Sequence, residues 1–235
     1  MSSHLKRHSM PTSWPIQRKV VTFVSKPNPG SHKRKYVASV LILLRDVLGV
    51  AKNTKEAKFI VHNQEILVNG KKVNDIKMPV GLFETFEIPL TKEKYTFVFD
   101  TFGRIKLVEC KDESLILKIT GKQKLKGGKF QLSSMNGYTI LVDEKTFNSV
   151  KVDDSVVYDI SKKSVESVLA LKEGNFVYIF DGKYQGKLGE VKGFTTYSGV
   201  AKDLVQLDVE GEAHQTAKDY AYVVGTKKTD IKRFA

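Results

Sequence analysis

Five of the six lysine and arginine side chains in a short stretch of the chain are candidates for binding, and the local pattern there predicts two helices and a hairpin. They are Arg45, Lys55, Lys58, Lys71 and Lys72. Lysine and arginine neutralise phosphates and release the counterions condensed on a nucleic acid. The chemistry that this stretch predicts is therefore binding of a polyanion. Arg45 has an alternative partner in the adjacent Asp46.

The first predicted helix follows a spacing of three and four residues between apolar side chains and ends at Gly49. Its stripe consists of Val40, Leu43, Leu44, Val47 and Leu48. Asn53 or Thr54 caps the second helix, and Glu56 completes a capping box. Its apolar side is expected to contain Ala57, Phe59, Ile60 and Val61.

Asn69-Gly70 is a strong turn pair, because both central residues of a type I′ turn need positive φ. It predicts a hairpin with Lys71 and Lys72 at its tip.

Residues 1–38 form the most basic segment and are expected to be an extended arm. The net charge of the chain is +13, and residues 1–45 contain nine Lys or Arg and no Asp or Glu. Four prolines interrupt any regular period, and unpaired cations repel one another. We expect the arm to bind nucleic acid; a flexible solubilising tail is the alternative. The expected contacts in it are Lys6, Arg7, Trp14, Arg18, Lys19, Lys33, Arg34 and Lys35.

Trp14 has two interpretations. Its indole ring either stacks on a base or packs as a hydrophobic anchor on the body of the protein.

The rest of the chain is expected to be β. Residues 83–169 alternate apolar and polar side chains and predict a small barrel or compact all-β domain, and residues 170–235 predict a second small barrel. The fold class is therefore α+β, predominantly β. Within the glycine-flanked segment 121–129, four lysines either reach phosphates or belong to a solvated hairpin: Lys122, Lys124, Lys126 and Lys129.

The sequence lacks the patterns of most enzymes and membrane proteins. It has one cysteine, no P-loop and no His-Glu-x-x-His, so we expect no cofactor, no metal and no small-molecule substrate. Its longest apolar run is far shorter than the ~20 residues that cross a bilayer, and we expect a soluble, cytoplasmic protein without membrane contacts. Asp100 and Arg104 are similar to the catalytic loop of RNA pseudouridine synthases, but a β-turn explains them better.

Two segments resemble known RNA-associated motifs. The capped helix with Lys55 and Lys58, followed by the hairpin with Lys71 and Lys72, resembles the alpha-L RNA-binding motif. Residues 172–191 resemble a KOW motif of an SH3-like barrel, with Gly186 at the centre of its loop and Lys183 and Lys187 beside it.

Over nearly its whole length the sequence resembles the archaeal and eukaryotic (e-type) small-subunit ribosomal protein four family. The matching residues include His4-Leu-Lys-Arg7, Trp14-Pro-Ile16, Glu56-Ala-Lys58, Asn69-Gly-Lys71, Pro79-Val-Gly-Leu82, Asp100-x-x-Gly-Arg104, Lys126-Gly-Gly128 and Tyr222-Val-Val-Gly225.

The resemblance implies a non-enzymatic protein of the cytoplasmic small ribosomal subunit. Its implied partners are the small-subunit rRNA and neighbouring ribosomal proteins. It also implies four parts: the arm 1–38, the alpha-L module 39–82, the central β-barrel-like domain 83–169 and the KOW barrel 170–235. Arg104, Lys183 and Lys187 join the expected RNA contacts. Two alternatives stay open, an RNA-modifying enzyme and a translation or transcription factor of the KOW type.

Overall fold

The computed structural model describes residues 4–63, 66–110, 114–197 and 202–226. These residues form mostly β structure, with nineteen strands and three short α-helices. The chain divides into two compact units. Unit 1 contains Met1–Phe99 and Gly103–Glu113, and unit 2 contains Asp100–Phe102 and Ser114–Ala235.

Unit 1 contains three sheets. Its strands are β1 (Leu5–Lys6), β2 (Phe23–Val24), β3 (Val37–Ser39), β4 (Leu67–Val68), β5 (Lys71–Lys72), β6 (Pro79–Gly81), β7 (Thr85–Ile88), β8 (Glu93–Phe99) and β9 (Ile105–Glu109). Two antiparallel pairs, β1 with β2 and β3 with β6, accompany a five-stranded sheet of order β5-β4-β7-β8-β9. The predicted period-two strands around Phe86, Phe97 and Ile105 are confirmed here.

The first predicted helix is divided between α1 (Val40–Ile42) and a π-helical turn, Leu43–Val47. All five side chains from Val40 to Leu44 are buried, so this helix has an apolar surface wider than the predicted stripe. The first amides of a helix have no partner within it. Here the N–H groups of Val40 and Leu41 donate to the carbonyls of Met78 and Ile76.

The second helix, α2 (Thr54–Asn63), begins where the capping pattern predicted. The carboxylate of Glu56 accepts the N–H of Lys52, so the predicted capping box is wrong in its partner. The expected apolar side is also wrong at one residue. Ala57, Ile60 and Val61 are buried, whereas Phe59 is 63% exposed.

The described part of the arm, residues 4–38, is packed rather than extended. Trp14 is buried, and its indole N–H donates to the Val37 carbonyl at 2.8 Å. The Ser13 hydroxyl donates to the Lys35 carbonyl, and the Ile105 N–H donates to the Ser13 carbonyl. Because these hydrogen bonds join segments far apart in sequence, the prediction of an extended arm is corrected.

Unit 2 contains two five-stranded sheets, of order β12-β11-β10-β13-β14 and β18-β17-β16-β15-β19. The strands are β10 (Ser114–Lys124), β11 (Phe130–Ser134), β12 (Thr139–Val142), β13 (Ser155–Asp159), β14 (Ser164–Leu169), β15 (Phe176–Ile179), β16 (Leu188–Thr195), β17 (Leu204–Val209), β18 (Glu212–Ala217) and β19 (Ala221–Gly225). A six-residue helix that the sequence analysis missed, α3 (Glu144–Ser149), follows β12.

Each sheet of unit 2 has its own apolar core. Leu115, Leu117 and Ile119 alternate along β10 and pack in the first, and Val177, Ile179 and Val223 pack in the second. Alternate residues of a strand point to one face, so the period-two pattern in the sequence determined these cores.

The strands of residues 83–169 are divided between the units, because β7 pairs with β4 whereas β10 pairs with β11 and β13.

No helix within the described ranges is long and apolar enough to cross a membrane.

Candidate nucleic-acid interface

Helix α2 carries Lys55 and Lys58 on its solvent-facing side. Burial of Ala57, Ile60 and Val61 fixes the rotation of the helix, and both lysines are exposed. The hairpin after α2 carries two more exposed cations, Lys71 and Lys72. They lie on β5 itself, opposite Val68 and Leu67, rather than at the tip. The predicted turn is present, since Asn69 and Gly70 have φ of 50° and 70°.

A second group of exposed cations lies on the packed arm. Lys33 precedes a 3-10 turn, Arg34–Tyr36, that contains Arg34 and Lys35, and all three cations are exposed. Lys6, Arg18 and Lys19 are exposed as well. The arm therefore presents its charge from a fixed backbone.

A cleft of about 580 Å³ brings arm and helices together within unit 1. Its cationic lining includes Arg7, Arg45 and Lys58, which the sequence analysis had selected, and Lys52 and Lys77, which it had not. Lys52 lies within the basic stretch between Arg45 and Lys55, whereas Lys77 lies beyond Lys72, and the tertiary contacts place both at the cleft. The apolar part of the lining includes Val20, Val21 and Phe23.

Two carboxylates offset part of this charge. Asp46 accepts two hydrogen bonds from the guanidinium of Arg45, at 3.2 and 2.8 Å, which is the alternative that the sequence analysis gave for Arg45. The Asp75 carboxylate accepts the Lys77 N–H and the Asn28 amide. These hydrogen bonds, the Lys77 one first, together with the charges of Lys77 and Lys58, hold the pKa of Asp75 below its ordinary value against the opposing effect of burial.

Two of the expected RNA contacts are internal instead. Arg7 is buried, and its Nε donates to the Gln17 carbonyl. Trp14 is 3% exposed, so it is the hydrophobic anchor and has no free ring face for a base. One N–H of the Arg7 guanidinium and the N–H of the Trp14 indole find acceptors within the fold, which charge and aromatic content alone do not reveal.

In unit 2 the expected lysines lie on a β-hairpin. Lys122 and Lys124 belong to β10, whereas Lys126 and Lys129 are exposed in the turn between β10 and β11. Lys122 is half-buried, donates to the Val150 carbonyl and lies 4.5 Å from the Phe147 ring centroid. Lys122 therefore contributes to packing, and its neighbours carry the exposed charge.

The segment between β15 and β16 carries exposed Lys183 and half-buried Lys187. Gly186 has φ of 83°, and a Cβ there would overlap the backbone carbonyl of Asp100. Gly186 therefore lies in close contact with this chain's own backbone.

Asp100 and Arg104 do not form a catalytic pair in this structure. The Asp100 carboxylate accepts the N–H of Thr101 at 2.8 Å in the turn after β8, and Arg104 is exposed. The described residues also contain no group of three or more His, Cys, Asp or Glu able to hold a metal ion.

Short β modules that carry exposed lysines and arginines on packed elements define a class of basic, multi-module proteins that can bind polyanions. The comparisons identify the family. Residues 1–35 match the RS4NT (NUC023) domain, and residues 91–165 match the ribosomal family S4e. The chain belongs to the S4e family.

Its relatives are similar along almost the whole chain. The small ribosomal subunit protein eS4 of Archaeoglobus fulgidus is 38% identical over 228 residues, which cover 97% of this chain and 95% of that protein. The protein of the same name from Methanocella arvoryzae is 34% identical and covers 95% of this chain and 94% of its own. The crystal structure of 30S ribosomal protein S4e from Thermoplasma acidophilum superposes with a TM-score of 0.69 at 26% identity, covering 82% of this chain and 97% of that one.

Proposed function

We propose that this protein is a structural component of the small ribosomal subunit in the cytoplasm. Its partners are the small-subunit rRNA and neighbouring ribosomal proteins. Two observations support this ribosomal role: similarity over 97% of the chain to a small ribosomal subunit protein, and exposed cations on packed elements. The family is one of structural ribosomal proteins and not of enzymes, so the pseudouridine synthase alternative is set aside.

The mechanism is neutralisation of rRNA phosphates by cations held on rigid elements. The deep groove of A-form RNA is closed to side chains, so phosphates and 2′-hydroxyls are the accessible groups. In unit 1 the proposed contacts are Lys6, Arg18, Lys19, Lys33, Arg34, Lys35, Lys55, Lys58, Lys71, Lys72 and Arg104. In unit 2 they are Lys124, Lys126, Lys129, Lys183 and Lys187.

Residues 39–82 are proposed to be an alpha-L module. Pairing of β3 with β6 joins the two ends of this segment, and α1, α2 and the β4–β5 hairpin lie between them. Residues 170–235 are proposed to form the KOW barrel, supported by the sheet of β15–β19 and the glycine turn at Gly186. The boundaries at residues 38, 82 and 169 stay a prediction.

Charge reversal tests the proposed face. Lys55→Glu combined with Lys71→Glu should weaken binding to the small-subunit rRNA transcript and flatten the slope of log Kobs against log salt by roughly 1.4–1.8, because each phosphate contact contributes roughly 0.7–0.9. Filter binding across a salt series measures both quantities.

The matched control is Lys92→Glu with Lys106→Glu, which removes equal charge from exposed positions of the same unit. It should alter the slope less. Equal slopes for the two double variants would show that net charge, and not the α2–β5 face, determines binding. Fractionation of ribosomes in high salt separates a subunit component, which stays with the subunit, from a KOW-type factor, which is released.

A further inference from the structure

One line of side chains along α2 faces away from the core of unit 1. Successive residues of an α-helix are rotated by about 100°, so Lys55, Phe59 and His62 share the side opposite buried Ile60 and Val61. All three are exposed, and Phe59 is 63% exposed. A large aromatic ring thus lies in the middle of the most solvent-facing line of this helix.

The neighbours of Phe59 distinguish it from an ordinary exposed apolar residue. On a helix surface the side chains three and four residues away are adjacent. Those of Phe59 are Lys55 and Glu56 before it and His62 and Asn63 after it, with Lys58 next to it in sequence, and all are exposed. The Glu56 carboxylate accepts the backbone N–H of Lys52. An aromatic ring flanked by two lysines matches the two parts of a nucleotide, a flat base and a phosphate, and the one carboxylate beside the ring is already engaged by a backbone amide.

A protein partner fits this surface less well. The cores of protein–protein interfaces are depleted of charged residues, because burial removes charges from water. An apolar contact centred on Phe59 would bury Lys55 and Lys58 as well. An RNA strand instead supplies phosphates for these cations and a π-face for the ring.

We propose that Phe59 is a stacking platform for an unpaired base of the small-subunit rRNA, with Lys55 and Lys58 neutralising the adjoining phosphates. This inference rests on the proposed function and names the structural feature of the RNA that α2 recognises. Bases within a duplex are already stacked on one another, so the site takes a base from a loop, bulge or end.

Replacement of the ring tests the proposal, because exposed Phe59 can be changed without opening a cavity. Phe59→Leu and Phe59→Ala should each weaken binding to the full-length small-subunit rRNA transcript by roughly 5- to 150-fold, the range for loss of one stacked base. Phe59→Tyr retains the ring and should bind within about twofold of the unchanged protein. None of the three should alter binding to a fully paired RNA fragment.

Leu90→Ala is the matched control, since Leu90 is 69% exposed in the same unit and stands outside α2. It should bind both RNAs unchanged. If Phe59→Leu binds the transcript as well as Phe59→Tyr does, apolar contact is sufficient and the stacking proposal is wrong. If all Phe59 variants lose affinity for paired RNA equally, recognition of an unpaired base is wrong. Failure of the unchanged protein to bind the transcript at all would instead contradict the proposed function.

Discussion

Buried polar groups of Lys118 and Tyr222 join the two sheets of unit 2. The Tyr222 hydroxyl accepts the Lys118 N–H at 2.9 Å and donates to the Ile116 carbonyl at 2.6 Å. The Lys118 ammonium donates to three backbone carbonyls, including that of Ala221, and lies 3.4 Å from an Asp153 oxygen. Burial lowers the pKa of Lys118, and the Asp153 charge opposes that shift without reversing it. This lysine therefore stabilises the fold from inside and is no RNA contact.

Tyr222→Phe should lower the stability of unit 2 by about 1–3 kcal/mol, because it leaves a buried N–H and a buried carbonyl without their partner. Urea unfolding followed by circular dichroism measures the change. Tyr197→Phe, at a residue that is 47% exposed, should alter the free energy of unfolding by less than about 0.5 kcal/mol. Equal effects would show that the hydroxyl of Tyr222 contributes nothing specific.

At the scale of elements, the connection between β15 and β16 depends on one glycine. The Gly186 N–H donates to the Ile179 carbonyl at 2.8 Å, and the Ile179 N–H donates to the Lys187 carbonyl at 3.0 Å. The positive φ of Gly186 and its contact with the Asp100 backbone both exclude a side chain. The sequence alone indicated the turn, whereas the contact with a residue 86 positions earlier required the tertiary structure.

Gly186→Ala should destabilise unit 2 more than Gly211→Ala does. Gly211 has a similar φ of 90° but open space around it. Its substitution costs about 1–2 kcal/mol for the left-handed backbone. At Gly186 the overlap with the Asp100 carbonyl should add roughly 1–3 kcal/mol. Urea midpoints of the two variants give the difference, and equal midpoints would contradict the close contact.

At the scale of the whole molecule, the basic arm is both a charge carrier and a structural part of unit 1. Its charge was evident from nine cations without an acidic residue in the first 45 positions. Two hydrogen bonds fold the arm on itself, from Ser13 to the Lys35 carbonyl and from Trp14 to the Val37 carbonyl. The Ile105 N–H joins the arm to the rest of unit 1 by donating to the Ser13 carbonyl. The two roles can therefore be separated experimentally.

Deletion of residues 1–30 should lower the thermal midpoint of unit 1, because it removes the buried Trp14; loss of a buried aromatic side chain alone costs about 3–5 kcal/mol. Neutralisation by Lys19→Gln, Lys33→Gln and Arg34→Gln should leave stability nearly unchanged and weaken rRNA binding. Circular dichroism and filter binding measure the two effects. An undiminished midpoint after the deletion would mean that the arm is dispensable for folding.

The sequence by itself determined the distribution of charge, the period-two strands, the Asn69-Gly70 turn and the family. These depend on local patterns, in which the residue types alone specify the outcome. The sequence was also sufficient to predict that Phe59 is exposed. The rotation of about 100° per residue places Phe59 on the side of α2 that faces away from Ala57 and Val61. Phe59 is apolar by residue type but exposed by its position on the helix.

Only the tertiary structure decided which of the selected side chains reach solvent. Arg7 and Trp14 are buried, and carbonyls that the fold brings to them, those of Gln17 and Val37, accept an N–H from each. Lys52 and Lys77 join the cleft for the same reason, since the arm, the α2 region and the segment before β6 meet there. The exposure of a side chain depends on which residues pack around it, and the residue type alone does not determine that packing.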